Sequence, residues 1–220
     1  MRAIILAAGR GERMRPLTET IPKPLLDVNG RPLIQYHVEN LVRAGINEIV
    51  INHGIFGDQI EKHLGDGKHF HAHIYYSAEG TAPLETGGGI YRALPLLGDA
   101  PFLAINADIW TDFPYQSLPD NPAGLAHLVL VENPEHNPSG DFAINDANLA
   151  NTGSSLYTFS GIGVYRKELF HGQVDGVFPL TPLLRRAIEK HQVSGEIYTG
   201  IWLDIGTPER LNHLRQQVKK

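Results

Sequence analysis

Cysteine is absent from this chain of 220 residues, and methionine and tryptophan occur twice each. Without thiols there is no disulfide, no thiolate metal site and no cysteine nucleophile. Basic charge is also scarce: 19 Lys and Arg stand against 24 Asp and Glu, a net charge of −5. A general binder of nucleic acid or of anionic membranes needs a basic surface, so neither is expected as a partner. No apolar run approaches the roughly 18–20 residues that cross a bilayer. The apolar stretch at residues 3–8 is followed at once by Arg10, Glu12, Arg13 and Arg15. A secretory signal usually carries about 7–15 apolar residues and a small-residue cleavage site, so this stretch reads as a buried first strand of a cytoplasmic protein.

What is present is ordinary for one globular domain, with 42% apolar and 20% charged residues, enough for a real core at this length. Residues 3–8 have the unbroken apolar character of a central parallel strand covered on both faces. Ile34, Val38, Leu41 and Val42 fall at helical spacing, with Gly45 placed to stop the helix. Residues 48–52 make a second strand, and Ile60 and Leu64 mark a short helix ended by Gly65-Asp66-Gly67. Residues 74–77, 89–97 and 102–105 then read as strand, helix and buried strand. This alternation predicts a doubly wound α/β sheet, Rossmann-like and mainly parallel, flanked by helices.

The second half breaks the rhythm. Residues 125–131 and 157–165 are strand-like, separated by a polar stretch rich in Asn, Pro and Gly at 133–153. Thr181-Pro182 and Thr207-Pro208 each read as a capping residue followed by proline at the first helical position. With no internal repeat, low-complexity tract or linker, residues 1–220 are expected to form a single domain. Its N-terminal half looks suited to a nucleotide and its C-terminal half to a second substrate. His69, His71 and His73 alternate as transition-metal ligands on a strand would, but their setting, Asp66-Gly-Lys-His-Phe-His-Ala-His, reads as an exposed polar face.

The chemistry concentrates in Leu6-Ala-Ala-Gly-Arg-Gly-Glu-Arg-Met-Arg-Pro-Leu-Thr and the following Ile21-Pro-Lys-Pro-Leu-Leu. Glycines let backbone N–H groups approach phosphate oxygens, arginine grips them with two bonds and lysine supplies a point charge. Residues 1–31 hold six basic and three acidic side chains, a basic cradle that the whole-chain charge conceals. The third glycine of a dinucleotide-binding loop is missing (Met14 stands there), and no Gly-Lys-Ser/Thr occurs for a P-loop. Asp108 and Asp204 each follow an apolar run and are expected at strand ends, where open α/β sheets bind ligands. Two carboxylates there would suit Mg²⁺, which takes hard oxygen ligands along with phosphate oxygens.

Gly9-x-Gly11-x-Arg13-x-x-Pro16-x-Thr18 with Pro22-Lys23-Pro24, extending to Trp202-Leu-Asp-Ile-Gly-Thr-Pro, resembles the signature of the sugar-1-phosphate nucleotidyltransferases. The resemblance implies a transferase taking a nucleoside triphosphate and a sugar 1-phosphate, with Mg²⁺ as cofactor on Asp108 and Asp204. It implies that Ala8, Gly9, Gly11, Glu12, Arg13 and Lys23 hold the triphosphate, Lys23 at the α-phosphate and Arg13 among the catalytic groups. Glu79, Gly80, Thr86 and Gly87 would belong to a loop over the nucleobase. Asn106, Gly140, Asp141, Ser160 and Gly161 are the candidates for the sugar.

Two departures stand out. Ala107 replaces a glycine common in the family, and residues 149–156 (Leu-Ala-Asn-Thr-Gly-Ser-Ser-Leu) replace a Glu-Lys-Pro motif, removing a sugar-binding carboxylate and a phosphate-binding lysine. Ile51-Asn-His-Gly, Leu84-Glu-Thr-Gly-Gly-Gly and Trp110-Thr-Asp are similar instead to a short subgroup that uridylylates N-acetylmuramic acid α-1-phosphate for peptidoglycan recycling. That makes UTP the expected donor. Guanylyl or uridylyl transfer to another hexose 1-phosphate, such as mannose 1-phosphate, is the alternative. A non-catalytic regulatory subunit that binds nucleotide-sugar is a remoter one, since Arg13, Lys23, Asp108 and Asp204 are all present. Monomer and dimer stay equally open.

Overall fold

The computed structural model describes residues 1–218. The first half builds the expected alternation: β1 (Arg2–Leu6), α1 (Leu33–Arg43), β4 (Glu48–His53), α2 (Gly57–Leu64), β5 (His73–Ala78), α3 (Glu85–Leu97) and β6 (Phe102–Asn106). A short hairpin, β2 (Asp27–Val28) with β3 (Arg31–Pro32), precedes α1. The four strands lie in the order β5-β4-β1-β6, all parallel. Alternate residues of β1 serve opposite layers: Ala3 and Ile5 pack with Ile34, Val38 and Leu41 of α1, and Ile4 packs with Ile90 and Ala93 of α3. Burial on both faces is why this strand is apolar without a break.

The second half adds β8 (Ala126–Val131), β9 (Ala143–Asn145), β10 (Asn148–Ala150), β11 (Thr158–Tyr165) and β12 (Val193–Tyr198) to the same sheet. The full order is β5-β4-β1-β6-β11-β8-β12-β10-β9. β11 runs antiparallel between β6 and β8, with a bulge between Phe159 and Ile162. One continuous nine-stranded sheet therefore joins both halves, mixed but mainly parallel in its first part, as expected of this α/β class.

Several local expectations shift. Ala7 and Ala8 lie beyond β1, in the loop that follows it. The strand expected before Asp204, β13 (Trp202–Asp204), is not part of the main sheet. It pairs antiparallel with β7 (Ile109–Thr111), directly after Asp108. α4 (Thr181–Glu189) takes Thr181 into its first turn, with no side-chain cap, so only Thr207 caps as read: its hydroxyl accepts from Arg210 N at the start of α5 (Pro208–Gln217). α3 begins at Glu85 rather than at residue 89, so Gly87 and Gly88 are helical rather than part of the loop before it. Their lack of side chains is needed for close packing. A methyl on Gly88 would fall 2.1 Å from the Gly176 carbonyl oxygen, and one on Gly87 2.6 Å from the Phe178 ring. His69, His71 and His73 are exposed; His69 lies in a 3-10 turn, His71 caps it and only His73 belongs to β5.

Candidate active site

The chain turns to one side of β1 for β4 and β5 and to the other for β6, so the loops leaving β1 and β6 diverge and open a crevice. A cavity of about 510 Å³ occupies it. Its walls are residues 6–14 after β1, Lys23 and Pro24, residues 106–108 after β6, and Asn52, Glu79, Pro83, Glu85, Thr86 and Gly206. The loop after β1 is held tight: Gly11 has φ 61°, its carbonyl accepts from Thr18 Oγ1 at 2.7 Å and from Met14 N at 2.9 Å. The left-handed backbone there is what a glycine supplies without steric cost. Arg13 is exposed and lines the cavity, as does Arg10.

Lys23 and Asp108 meet in this cavity. Lys23 Nζ donates to Asp108 Oδ2 at 2.7 Å, the lysine side chain 9% exposed and the aspartate 40%. A nearly buried ammonium needs such a partner, and the partner's half-open carboxylate lines the cavity. Beneath it, His37 of α1 is fully buried, with no hydrogen-bond partner at Nε2 among the described residues. Burial, the dominant influence, pulls its pKa down to about 4, against the opposing pull of the Ile109 backbone and the Asp108 charge.

Glu79 is buried and lines the cavity, and it braces the walls. Its Oε1 accepts from Asn52 Nδ2 at 2.6 Å and its Oε2 from Leu84 N at 2.8 Å, while Asn52 Oδ1 accepts from Ala7 N at 2.7 Å. This relay ties the glycine loop to the start of α3. A methyl on Gly89 would sit 2.4 Å from Glu79 Oε1, so the glycine run also accommodates the brace. Gly80 turns beside it with φ 80°, and Thr86 reaches the cavity, whereas Gly87 packs against Phe178 away from it. Glu85, also on the wall, holds φ 59°, an unusual backbone for a side-chain-bearing residue.

Of the sugar candidates, Asn106 lines this cavity. Gly161, at φ 82°, lets the Asn106 side chain lie against it, since a methyl would fall 2.5 Å from Asn106 Nδ2. Ser160 is buried and its hydroxyl is engaged in the bulge, donating to Val129 O at 2.7 Å and accepting from Ile162 N at 3.1 Å. Asp141 Oδ2 accepts from Phe159 N at 2.8 Å and from Asn137 Nδ2 at 3.2 Å. Gly140 packs under Leu156. Gly140, Asp141, Ser160 and Gly161 line neither this cavity nor its neighbour; they shape the bulge and the loop behind Asn106.

The neighbouring cavity, about 540 Å³, contains Asp204 together with Glu132, Glu135, His136, Tyr198, Trp202, Arg210 and His213. The β7–β13 ladder brings the two aspartate segments together: Ile109 is opposite Asp204, and Ile205 N donates to Asp108 O at 2.8 Å. Asp204 Oδ2 meets Arg210 Nη1 at 2.6 Å and His136 Nε2 at 3.0 Å. Gly206 stands on the wall of the first cavity, and a methyl there would lie 3.1 Å from Asp204 Oδ1. Asp204 therefore lies at the junction of the two spaces. Trp202 Nε1 donates to Ser160 O at 2.9 Å and anchors β13 to the bulge. Asn52, Glu85, His136 and Arg210 were not anticipated; the first two sit inside motifs already noted, while His136 and Arg210 lie outside every motif.

A glycine loop, a buried lysine paired to an aspartate and a cavity at the sheet's switch point, with a second cavity beside it, are features of a nucleotide-binding α/β protein with room for a second ligand. The pattern of the nucleotidyl transferase family matches residues 2–142. The chain is 52% identical to the N-acetylmuramate alpha-1-phosphate uridylyltransferase of Neisseria meningitidis serogroup B, over 96% of this chain and 95% of that one. It is 32% identical to the enzyme of the same name from Caulobacter vibrioides, over 94% and 92% of the two chains. A mannose-1-phosphate guanyltransferase of Hypocrea jecorina is 29% identical over 95% of this chain but 62% of its own length. Among solved structures, one from Bacillus anthracis described as a glucose-1-phosphate thymidylyltransferase shares the fold at TM-score 0.86 and 22% identity, covering 100% of this chain and 97% of that one. The chain belongs to the nucleotidyl transferase family, within the sugar-1-phosphate nucleotidyltransferases.

Proposed function

We propose that this protein transfers a uridylyl group from UTP to N-acetylmuramic acid α-1-phosphate, giving UDP-N-acetylmuramic acid and pyrophosphate, in the cytoplasmic recycling of peptidoglycan sugar. The observation that carries this reading is the 52% identity, sustained over nearly the whole of both chains, to a relative named for that activity. The site supports the chemistry. A phosphate oxygen of the sugar phosphate attacks the α-phosphorus of UTP in line. The new P–O bond forms as the bond to the β-phosphate oxygen breaks, and pyrophosphate leaves with the electron pair. A phosphate oxygen is already ionised at neutral pH, so positioning and charge neutralisation supply the rate.

In this scheme the loop of Ala8, Gly9, Gly11 and Glu12 surrounds the triphosphate, Lys23 contacts the α-phosphate and Arg13 the departing pyrophosphate. Asp108 and Asp204 offer hard oxygen atoms from adjoining chain segments, a donor set that fits Mg²⁺. When bound there, the ion would offset the negative charge of the phosphates. Each carboxylate is meanwhile held by a protein cation, Lys23 and Arg210 respectively. Among the described residues no helix is long and apolar enough to cross a membrane.

A panel of UTP, GTP, dTTP, CTP and ATP against several hexose 1-phosphates, followed by pyrophosphate release, tests the reading. The greatest kcat/KM is expected for UTP with N-acetylmuramic acid α-1-phosphate. A preference for GTP with mannose 1-phosphate would replace it with the guanylyltransferase alternative.

A further inference from the structure

The proposed reaction brings a dianionic sugar phosphate up to a triphosphate, so the acceptor's phosphate needs a cation of its own. The first cavity's cations are Arg10, Arg13 and Lys23, and Lys23 is already paired with Asp108. On the acceptor side, residues 149–156 carry no lysine or arginine. Arg185 lies near that segment but is turned into the fold, 5.2 Å over the Phe142 ring and 3.4 Å from Asn151 Oδ1, and it lines neither cavity.

Arg210 is placed differently. It is the one lysine or arginine among the described residues lining the second cavity. Its side chain is 31% exposed, and one N–H is committed, to Asp204 at 2.6 Å. A guanidinium has five N–H donors, and no other hydrogen bond of this one is formed among the described residues. The pair with Asp204 and the Thr207 cap of α5 hold its position. It also borders the first cavity: Gly206 forms part of that wall, and a methyl on Gly206 would lie 3.0 Å from Arg210 Nη1. A cation there stands where an acceptor seated in the second cavity would bring its phosphate toward the first. The other groups around it suit a sugar: Glu132 and Glu135 can accept from hydroxyls, and Trp202 presents an apolar face.

We propose that Arg210 binds the 1-phosphate of the acceptor sugar and presents it to the nucleotide. The inference rests on the transferase reading above. It predicts that Arg210→Ala raises the KM for the sugar phosphate by about ten- to hundredfold, the loss typical of a charge-assisted hydrogen bond. The KM for UTP should stay within about twofold, and Arg210→Lys should recover part of the loss by restoring the charge. Calorimetric titration of sugar 1-phosphate into chelator-treated native and variant protein reads acceptor binding without turnover, and circular dichroism checks that each variant is folded.

Equal changes in both KM values, or unchanged acceptor binding in the folded variant, would overturn the proposal. N-acetylmuramic acid also carries a lactyl carboxylate, so N-acetylglucosamine 1-phosphate, which lacks it, is titrated in parallel. A loss confined to the lactyl-bearing sugar would move Arg210 to the carboxylate and overturn the phosphate assignment. If the native protein prefers another hexose 1-phosphate, the substrate reading fails on its own, and the same KM comparison made with that acceptor still decides Arg210.

Discussion

The two cavities are built on opposite principles. The first lies where parallel strands diverge, and its walls come from short segments directly after β1 and β6 plus the Asn52–Glu79 brace. The second is assembled from a loop at 132–136, the end of β12, the β13 ribbon and the start of α5. Its β13 ribbon stands outside the main sheet, paired with β7. Each cavity holds an aspartate against a cation, but Lys23 is nearly buried while Arg210 stays open on one side. A site made by the sheet's switch point is available to any chain with this winding, whereas one made by late, distant segments can vary without disturbing the core. In the proposed function the first would take the shared donor and the second the particular acceptor.

The sharpest way to break this contrast lies at the first cavity. Lys23→Ala and Asp108→Asn are each expected to lower turnover by at least about a hundredfold, with thermal unfolding confirming a folded protein. Near-native turnover in either variant would remove the pair from the chemistry. Next come the helical glycines that bring α3 against the brace. Gly88→Ala should destabilise the protein by about 1–3 kcal/mol through overpacking against the Gly176 carbonyl. Gly176→Ala, where a methyl meets nothing within 4 Å, should stay within about 0.5 kcal/mol. Denaturant melts of the two variants compare these sites directly.

An effect of similar size, read by pH, separates the buried face of helix α1 beside Asp108 from the rest. His37 is neutral in the fold, its pKa lowered from 6.5 to about 4 by burial. The unfolded chain takes up the proton first as pH falls, so stability declines between about pH 6.5 and pH 4, by up to about 3 kcal/mol from this residue. Above that window the residue contributes no slope. Chemical denaturation across the range should show a shallower decline in His37→Gln; an unchanged slope would mean that the ring is not buried neutral. Least of all, replacing His69, His71 and His73 together by alanine should leave turnover unchanged and stability within about 0.5 kcal/mol, because all three are exposed and outside both cavities.

Legibility followed range in the chain. β1, α1 and β4 could be read because local periodicity reports burial, and the glycine loop because its residue types have few other uses together. Asp108 and Asp204 were singled out separately, and a strand does end at Asp204, but its short apolar run pairs with β7 rather than entering the main sheet. Gly87 was placed in a loop by resemblance; glycine is a poor helix former, and tertiary packing against 176–178 overrides that preference. Ser160 and Asp141 were candidates for the sugar by resemblance; the bulge engages the first and the half-buried Phe159 N–H the second.

By itself the sequence determined an α/β chain with no thiol chemistry, a basic phosphate-type loop after its first strand, and a lysine and two aspartates of the type that handle phosphates. The first two follow from composition and near-neighbour spacing, and the roles of the lysine and aspartates from the family resemblance. The tertiary structure alone decided that Lys23 meets Asp108, that Glu79 braces rather than stands free, and that His136 and Arg210 converge on Asp204. Apart from Arg210 and Asp204, which are near neighbours in sequence, those contacts join residues far apart in the chain, and only the burial of apolar strands in a definite order brings such residues within a few ångströms of each other.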